Sequence, residues 1–311
     1  MTVQPFPNYI AGTWVADCDT APNINPSDLN DTIGHYAMAS AIDTFQAIEA
    51  ASNAVKSWSR STSLVRAEAL DKIGTEIVAR KDELGDMLAR EEGKTLREAT
   101  AEAHRAGSLF KYFAQDAYRE TVSGFRSIRD NVELEVRREP IGVVGVITPW
   151  NFPLAIPAWK IAPALAYGNT VVFKPAELVP GSAWMLSDII SRAGLPEGVF
   201  NLVMGHGRDV GQAIVDHPDV AGVSFTGSTA VGRKIGAALF QRGARMQLEM
   251  GGKNPLIVLD DADLDLAVEC AVQGAYFSTG QRFTASSRLI VTRGIHDAFI
   301  AAMTNRLSDL K

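Results

Sequence analysis

The sequence is poor in cysteine and lacks an uninterrupted apolar run long enough for a membrane-spanning helix. Its two cysteines, Cys18 and Cys270, form neither a disulfide framework nor a metal-ligand spacing. The most apolar segment, residues 141–173, is interrupted by Lys160 and by prolines, so it is not a single membrane-spanning helix. The first residues also lack the basic and apolar regions of a signal peptide. We therefore expect a cytoplasmic protein without a metal site or a membrane partner.

Basic charge is not concentrated in a block anywhere in the sequence. There are 30 basic and 36 acidic residues, which gives a net charge of -6 and a pI near 5.5. Without a basic block, binding to nucleic acid or to an anionic membrane is not favoured. The 311 residues, 46% of them hydrophobic and 21% charged, suffice for a large core or two domains. This composition favours small-molecule chemistry.

The apolar pattern changes twice along the chain. From residue 42 to residue 118 the apolar residues recur at helical spacing. The segment FRSIRDNVELEVRRE then alternates, with Val132, Leu134 and Val136 on one face, which predicts a solvated hairpin. From Ile141 onward, short apolar runs alternate with helical segments. This alternation predicts an α/β fold with an open parallel sheet, whose ligands bind at the carboxyl ends of the strands.

Polar residues follow two of the predicted strands. Asn151 comes after IGVVGVITPW, where its amide could donate to an oxyanion or serve only as a turn residue. Lys174 and Glu177, in TVVFKPAE, could hold the hydroxyls of a ribose or form a solvated salt bridge. A carboxylate beside the ribose would repel a 2'-phosphate, which favours NAD over NADP.

Glycine-bearing turns follow the next strands. Gly207 and Gly211 lie in NLVMGHGRDVG, and Gly227 and Ser228 lie in FTGST, each between a predicted strand and a helix. Their spacing is not G-x-G-x-x-G, but free backbone N–H groups at such turns suit a pyrophosphate. In LEMGGKNP, Glu249 stands at a strand end beside two glycines, as a general base or as an exposed turn residue.

Taken in order, the motifs NYIAGTW, EEGKT, ITPWNFP, KPAE, FTGST, LEMGGKNP and GQRFTASSR cover essentially the whole chain. The sequence resembles the NAD(P)-dependent aldehyde dehydrogenase superfamily, nearest the α-ketoglutaric and succinic semialdehyde dehydrogenase branch. The resemblance implies a Rossmann-like NAD-binding domain at residues 1–251, with an oligomerisation hairpin at 122–140. Residues 252–311 would begin a second α/β catalytic domain, left incomplete. The family is homo-oligomeric, but a chain that ends at residue 311 lacks its final oligomerisation strand, so its assembly is in doubt.

The resemblance also implies a reaction and roles for residues. In the family a cysteine thiolate attacks the aldehyde, hydride passes to the nicotinamide, and water activated by a glutamate hydrolyses the thioester. Asn151 and the backbone N–H of residue 283 would form the oxyanion hole, and Glu249 would be the base. The cofactor NAD would be held by residues in the corresponding motifs, namely Trp150, Lys174, Glu177, Gly207, Gly211, Gly227, Ser228 and Gly251.

The sequence departs from the family at the nucleophile. The loop reads Gly280-Gln281-Arg282-Phe283, with phenylalanine where the family has cysteine. A phenyl ring forms no thiohemiacetal. Cys270 does not substitute, because its helical apolar surroundings predict a buried structural thiol. We therefore expect an aldehyde dehydrogenase relative without activity, or alternatively a non-catalytic NAD-binding or regulatory module; a purely structural partner of an intact paralogue is a third reading.

Arg282, next to the vacant nucleophile position, has two interpretations. Its guanidinium could attract the carboxylate of a dicarboxylic acid semialdehyde. It could equally be a packing or solvent-facing residue of the loop.

Overall fold

The structure is a computed structural model that describes residues 5–16, 18–119 and 122–310. The chain forms two compact units, one running up to Glu249 and the other starting at Met250. This division lies two residues before the predicted boundary at residues 251 and 252. In the described ranges, no helix combines the length and the hydropathy needed to cross a membrane.

The first unit begins with short strands and a layer of long helices. Ser40, Thr62 and Thr95 cap the amino ends of three of these helices with their hydroxyl oxygens, and Gly93 ends another in a left-handed conformation. Three of the four helices in the predicted helical region therefore begin at residues with known N-capping preferences, and one ends at a glycine. The elements are β1 (Asn8–Ile10), β2 (Thr13–Val15), β3 (Thr20–Ile24), β4 (Thr32–Ala37), α1 (Ala41–Ser59), α2 (Ser63–Ala79), α3 (Lys81–Glu92) and α4 (Leu96–Asp116).

The predicted hairpin consists of β5 (Val122–Arg126) and β6 (Glu133–Arg137). These strands pair antiparallel, and all their residues are exposed. The exposed residues include the apolar side chains of Phe125, Leu134 and Val136. The hairpin is therefore confirmed, while its role in oligomerisation stays a prediction.

The main sheet confirms the predicted α/β fold. Its strand order is β11-β10-β7-β8-β9-β1-β2, with parallel pairing from β10 through β9 and antiparallel pairing at β1 and β2. Every residue of β7 and β8 is buried, as expected for central strands covered on both faces. The elements are β7 (Val143–Ile147), α5 (Ala155–Ala166), β8 (Thr170–Lys174), α6 (Pro180–Ser191), β9 (Phe200–Leu202), a π-helical turn (Gly207–Gly211), α7 (Gln212–Asp216), β10 (Val220–Gly227), α8 (Thr229–Gln241) and β11 (Arg245–Met250).

The second unit is a small α/β arrangement. It contains β12 (Asn254–Val258), α9 (Leu264–Tyr276), a 3-10 turn (Phe277–Gly280), β13 (Ser286–Val291) and α10 (His296–Ser308). The two strands pair in parallel, and Val272, Phe299 and Met303 are among the residues of a separate core. Cys270 lies on α9 and is exposed, so the prediction that it is a buried structural thiol is wrong. The helix itself confirms the apolar periodicity, but Cys270 lies on the face opposite Val268 and Val272.

Candidate functional site

A cavity of about 680 Å³ opens at the carboxyl ends of the central strands. Ile147 and Lys174, the last residues of β7 and β8, line it together with residues of the π-helical turn and of α8. Of the predicted cofactor residues, the cavity brings together Lys174, Glu177, Gly207 and Gly211. A cleft at this edge of a parallel sheet is where ligands of such folds bind.

Lys174 and Glu177 form one corner of this cavity. The Lys174 ammonium lies 3.7 Å from Glu177 Oε1 and donates to the carbonyl of Pro175 at 3.0 Å. Burial lowers the pKa of Lys174, an effect that the charge of Glu177 opposes. The corner is therefore a buried cation beside a partly exposed carboxylate.

Glu177 is held by the turn that follows β9. Its Oε1 accepts the backbone N–H of Gly207 at 2.8 Å, and its Oε2 lies 2.7 Å from Nδ1 of His206. Burial alone would raise the pKa of Glu177, but the hydrogen bonds from His206 and Gly207, together with Lys174, lower it. Glu177 is therefore ionised at neutral pH, with both oxygens already engaged.

The predicted glycines serve different purposes. A Cβ added to Gly207 would meet nothing closer than Glu177 Oε1 at 3.9 Å, and one added to Gly211 nothing closer than Lys174 Cδ at 4.0 Å. Their missing side chains leave open space in the cavity. A Cβ added to Gly227 would instead lie 2.5 Å from the Phe225 ring, so packing requires that glycine.

Ser228 and Trp150 lie outside the lining of this cavity. Ser228 caps α8 by accepting the N–H of Val231 at 3.3 Å, while Val231 and Lys234 of the same helix reach the cavity wall. Trp150 is 37% exposed. Within the described residues, neither these two nor Gly227 contributes to the cavity surface.

The loop that carries Asn151 is held by a buried ion pair. Lys94 donates to the backbone carbonyl of Asn151 at 2.8 Å and to Glu102 Oε2 at 2.7 Å. The other oxygen of Glu102 accepts the N–H groups of Leu154 and Ala155 at 3.0 and 3.1 Å. Asn151 itself is buried. Charged groups of α4 and of the preceding turn thus fix the backbone on both sides of Asn151 and Phe152.

Glu249 is connected to a buried lysine through a polar chain. Gln247 Nε2 donates to Glu249 Oε1 at 2.8 Å, and Gln247 Oε1 accepts from Lys160 Nζ at 2.8 Å. Lys160 also donates to Ser224 Oγ at 2.9 Å. Burial lowers the pKa of Lys160 to about 8, while the charge of Glu249 acts in the opposite direction. Glu249 is exposed.

Phe283 lies on a short loop of the second unit. Its backbone carbonyl accepts a hydrogen bond from Asn254 Nδ2, and its ring would lie 3.8 Å from a Cβ at Gly251. The backbone turns sharply just before this loop, where Ser278 and Thr279 adopt positive φ values of 50° and 55°. The structure therefore presents a half-buried phenyl ring at the predicted nucleophile position.

Arg282 is occupied by contacts within its own unit. Its guanidinium donates to the carbonyls of Gln273 at 2.6 Å and Gly274 at 3.3 Å and lies 5.0 Å from the centroid of the Phe277 ring. These contacts support the packing interpretation of Arg282 over recognition of a substrate carboxylate.

Comparison with known proteins decides the family. The model of the aldehyde dehydrogenase family matches residues 14–311. The chain belongs to the aldehyde dehydrogenase family. An alpha-ketoglutaric semialdehyde dehydrogenase of Bacillus subtilis is 44% identical over 305 residues, which are 97% of this chain and 62% of that protein. A mitochondrial succinate-semialdehyde dehydrogenase of Arabidopsis thaliana is 38% identical over 97% of this chain and 57% of its own length.

Solved structures of aldehyde dehydrogenases have the same fold. Betaine aldehyde dehydrogenase from Staphylococcus aureus, in complex with NAD+, superposes with a TM-score of 0.94 at 36% identity, covering 99% of this chain and 62% of that one. A 3,6-anhydro-L-galactose dehydrogenase bound to NADP gives a TM-score of 0.93 at 33% identity, over 99% and 65%. Relatives of this chain are thus NAD(P)-dependent oxidoreductases, and the chain spans less than two thirds of their length.

Three residues with contacts at the candidate site do not follow from the sequence motifs. His206 lies between the glycines of GHG, where the glycines alone suggest a function. Lys94 lies in EEGKT, and the sequence assigns it no role. Lys160 interrupts an apolar segment, and a lone lysine in such a segment signals a buried cation that needs partners.

Proposed function

We propose that this chain binds NAD(P) through its first unit and does not oxidise aldehydes through a thioester. The observation that carries the first part is the cavity of about 680 Å³ at the strand ends, with the Lys174–Glu177 corner on one side. The second part rests on Phe283, which offers no nucleophilic atom in the loop where the family has its thiolate.

The cavity fits the adenosine end of a dinucleotide. Lys174 and Glu177 would bind the ribose hydroxyls, and the open space at Gly207 and Gly211 would receive the adenine and the adjoining phosphate. Gly227, Ser228, Trp150 and Gly251 remain proposed cofactor residues on the strength of their motifs. We assign NAD as the preferred cofactor, because the ionised Glu177 would repel the 2'-phosphate of NADP. When bound, the cofactor supplies a hydride acceptor, which this chain alone does not use.

The substrate class belongs to the family rather than to this chain alone. Relatives at 38% to 44% identity are named for α-ketoglutaric and succinic semialdehydes, which supports a dicarboxylic acid semialdehyde. Asn151 and Glu249 would be the oxyanion donor and the base in that reaction.

A protein that keeps them and binds NAD without turnover would serve as a regulatory module. Its exposed hairpin would offer Phe125 and Leu134 to another aldehyde dehydrogenase chain. A sequence with two cysteines in 311 residues favours a reducing cytoplasm.

Calorimetric titration of NAD+ into the purified chain tests the binding part of this proposal. We expect saturable binding, and Gly211→Val should weaken it by at least about tenfold because the new side chain fills the cavity. Gly124→Val is the matched control, since a Cβ at Gly124 meets nothing within 4 Å on the exposed hairpin. It should leave the affinity unchanged. Absence of binding at millimolar NAD+ would remove the proposal.

Spectrophotometric assay with semialdehydes and NAD+ tests the catalytic part. No NADH should form above the level of a protein-free control, because no thiolate stands in the loop. Steady aldehyde-dependent NADH production by the chain as written would show that another group replaces the nucleophile.

A further inference from the structure

We propose that Glu92 is a positioning residue for the Asn151 loop (residues 148–154), on which it acts through Lys94. Protonated Glu92 leaves Lys94 on the loop, and ionised Glu92 draws Lys94 away from it. Glu92 is the last residue of α3. The inference goes beyond the proposed function, because it involves neither the cofactor cavity nor Phe283.

The ammonium of Lys94 has three hydrogens and four neighbours. Two hydrogens are donated to Glu102 Oε2 at 2.7 Å and to the carbonyl of Asn151 at 2.8 Å. The Phe152 ring, whose centroid lies 4.2 Å away, and Glu92 Oε2, at 3.8 Å, compete for the third. Both contacts of Lys94 with the Asn151 loop therefore depend on a cation that a second carboxylate can attract.

The charges of this cluster do not balance when both glutamates are ionised. Glu102 is already the counter-ion of Lys94 at 2.7 Å. Glu92 Oε2 is buried and has no hydrogen-bond partner among the described residues. The side chains of Lys94 and Glu92 are 1% and 2% exposed, so a second negative charge there would lack compensation by water. Glu92 is therefore the carboxyl group that keeps a proton.

The pKa of Glu92 agrees with this assignment. Burial raises it from 4.5 to about 7; the charge of Lys94 acts to lower it, while Glu102 and Glu98 raise it further. Glu98 and Glu102 face Glu92 from α4, and Lys94 faces it from the turn before α4. The Asn151 loop has no ionisable side chain. Glu92 therefore loses its proton close to neutral pH.

Loss of this proton changes the balance of forces on Lys94. An ionised Glu92 attracts the ammonium in buried surroundings, where opposite charges attract more strongly than in water. A shift toward Glu92 weakens the hydrogen bond to the carbonyl of Asn151, so the loop opens more readily. In the open form, with Glu92 in water, its pKa returns to that of an ordinary glutamate. Between the two pKa values, opening releases a proton and becomes about tenfold more favourable per pH unit.

Hydrogen–deuterium exchange between pH 5 and pH 8 tests the inference, with rates corrected for the intrinsic pH dependence of amide exchange. The amides of Leu154 and Ala155 report on the loop, because both donate to Glu102. The buried amides of β8 report on unfolding of the main sheet. In the unaltered chain, the loop amides should exchange faster than those of β8. Their protection should fall about tenfold per pH unit up to about pH 7 and then level off.

One variant and a matched control isolate Glu92. Glu92→Gln keeps a neutral side chain of similar shape at every pH, so its loop protection should stay at the pH 5 level up to pH 8. Glu83→Gln makes the same change at an exposed residue of the same helix, which pairs with Arg80. It should keep the pH dependence of the unaltered chain. A role of Glu92 in packing alone would not produce this difference.

Infrared difference spectra between pH 5 and pH 8 detect the proton itself. Burial raises the pKa of both Glu91 and Glu92 to about 7, so both should contribute to the protonated-carboxyl band that disappears at the higher pH. Glu92→Gln should remove one of the two contributions. An unchanged band in that variant would show that Glu92 carries no proton in the folded chain and would overturn the inference.

Two exchange results would also overturn it. One is an equal pH dependence of the loop in Glu92→Gln and in the unaltered chain. The other is exchange of the Leu154 and Ala155 amides only together with those of β8 at every pH, because the loop would then have no separate opening. Neither result bears on dinucleotide binding, which calorimetry with NAD+ measures independently.

Discussion

Replacing Lys94 by methionine would measure how strongly the Asn151 loop depends on a buried cation. Lys94 and Glu102 have side chains that are 1% and 2% exposed, so water cannot replace the lost contacts. The substitution removes the hydrogen bonds of 2.7 Å to Glu102 and 2.8 Å to Asn151. Methionine has a similar volume, so the main effect is electrostatic.

The magnitude follows from the charge that is left behind. Without Lys94, the Glu102 carboxylate keeps only the two backbone donors of Leu154 and Ala155. Removing one partner of a buried ion pair costs about 3–5 kcal/mol. Lys111→Met is the matched control, because Lys111 pairs with Asp71 at 2.9 Å with both side chains exposed. That exposed pair should contribute less than about 1 kcal/mol.

Urea unfolding followed by tryptophan fluorescence and circular dichroism would give both free energies. A third variant, Lys94→Met with Glu102→Gln, removes the charge of Glu102, the nearer of the two buried carboxylates beside Lys94, while keeping an acceptor for the backbone N–H groups. It should recover part of the stability lost in Lys94→Met. Equal losses in Lys94→Met and Lys111→Met would refute the argument, as would a double variant less stable than Lys94→Met.

Two pH predictions follow from other buried groups. Burial lowers the pKa of Lys160 from 10.5 to about 8. Between these pH values the unfolded chain binds a proton that the folded chain has released, so the free energy of unfolding rises with pH. Lys160→Met should remove up to about 3 kcal/mol of that rise, and identical pH profiles between pH 8 and 10.5 would contradict it. Burial raises the pKa of Glu91 from 4.5 to about 7, although hydrogen bonds from Ser182, Gly181 and Asn23 act to lower it. Between these pH values the folded chain keeps a proton that the unfolded chain has lost, so the free energy of unfolding should fall as pH rises. Glu91→Gln should flatten that fall in thermal melts, and a variant that keeps the wild-type slope would show that Glu91 ionises normally.

Much of the fold was predictable from local pattern. The strands around Val143, Thr170 and Val220 were short apolar runs between helical segments, and the sheet follows from that alternation. Apolar and charged residues alternate along the hairpin of β5 and β6 because neither strand joins the main core. Cys270 was misplaced because helical periodicity identifies an apolar helix without fixing which residues face its core.

The candidate site was predictable in part. Strand-end residues such as Lys174 and Glu177 meet at one cavity because parallel strands place their carboxyl ends together. Contacts made by long side chains across the fold were not predictable, since sequence separation hides them. His206 reaches Glu177 from 29 residues away, and Lys94 reaches the carbonyl of Asn151 from 57 residues away.

The turn at the end of α3 supports two loops at once. Glu91 accepts the N–H of Ser182 at 2.8 Å at the start of α6, just beyond the Lys174–Glu177 corner, while Lys94 holds the Asn151 loop. Gly93, at φ 84°, makes the turn between them. One inserted residue there would redirect Lys94 relative to Glu91 and displace one of the two loops. The number of residues between Glu91 and Lys94 is therefore constrained as much as their identity is. We expect insertions to be tolerated far less there than in the hairpin.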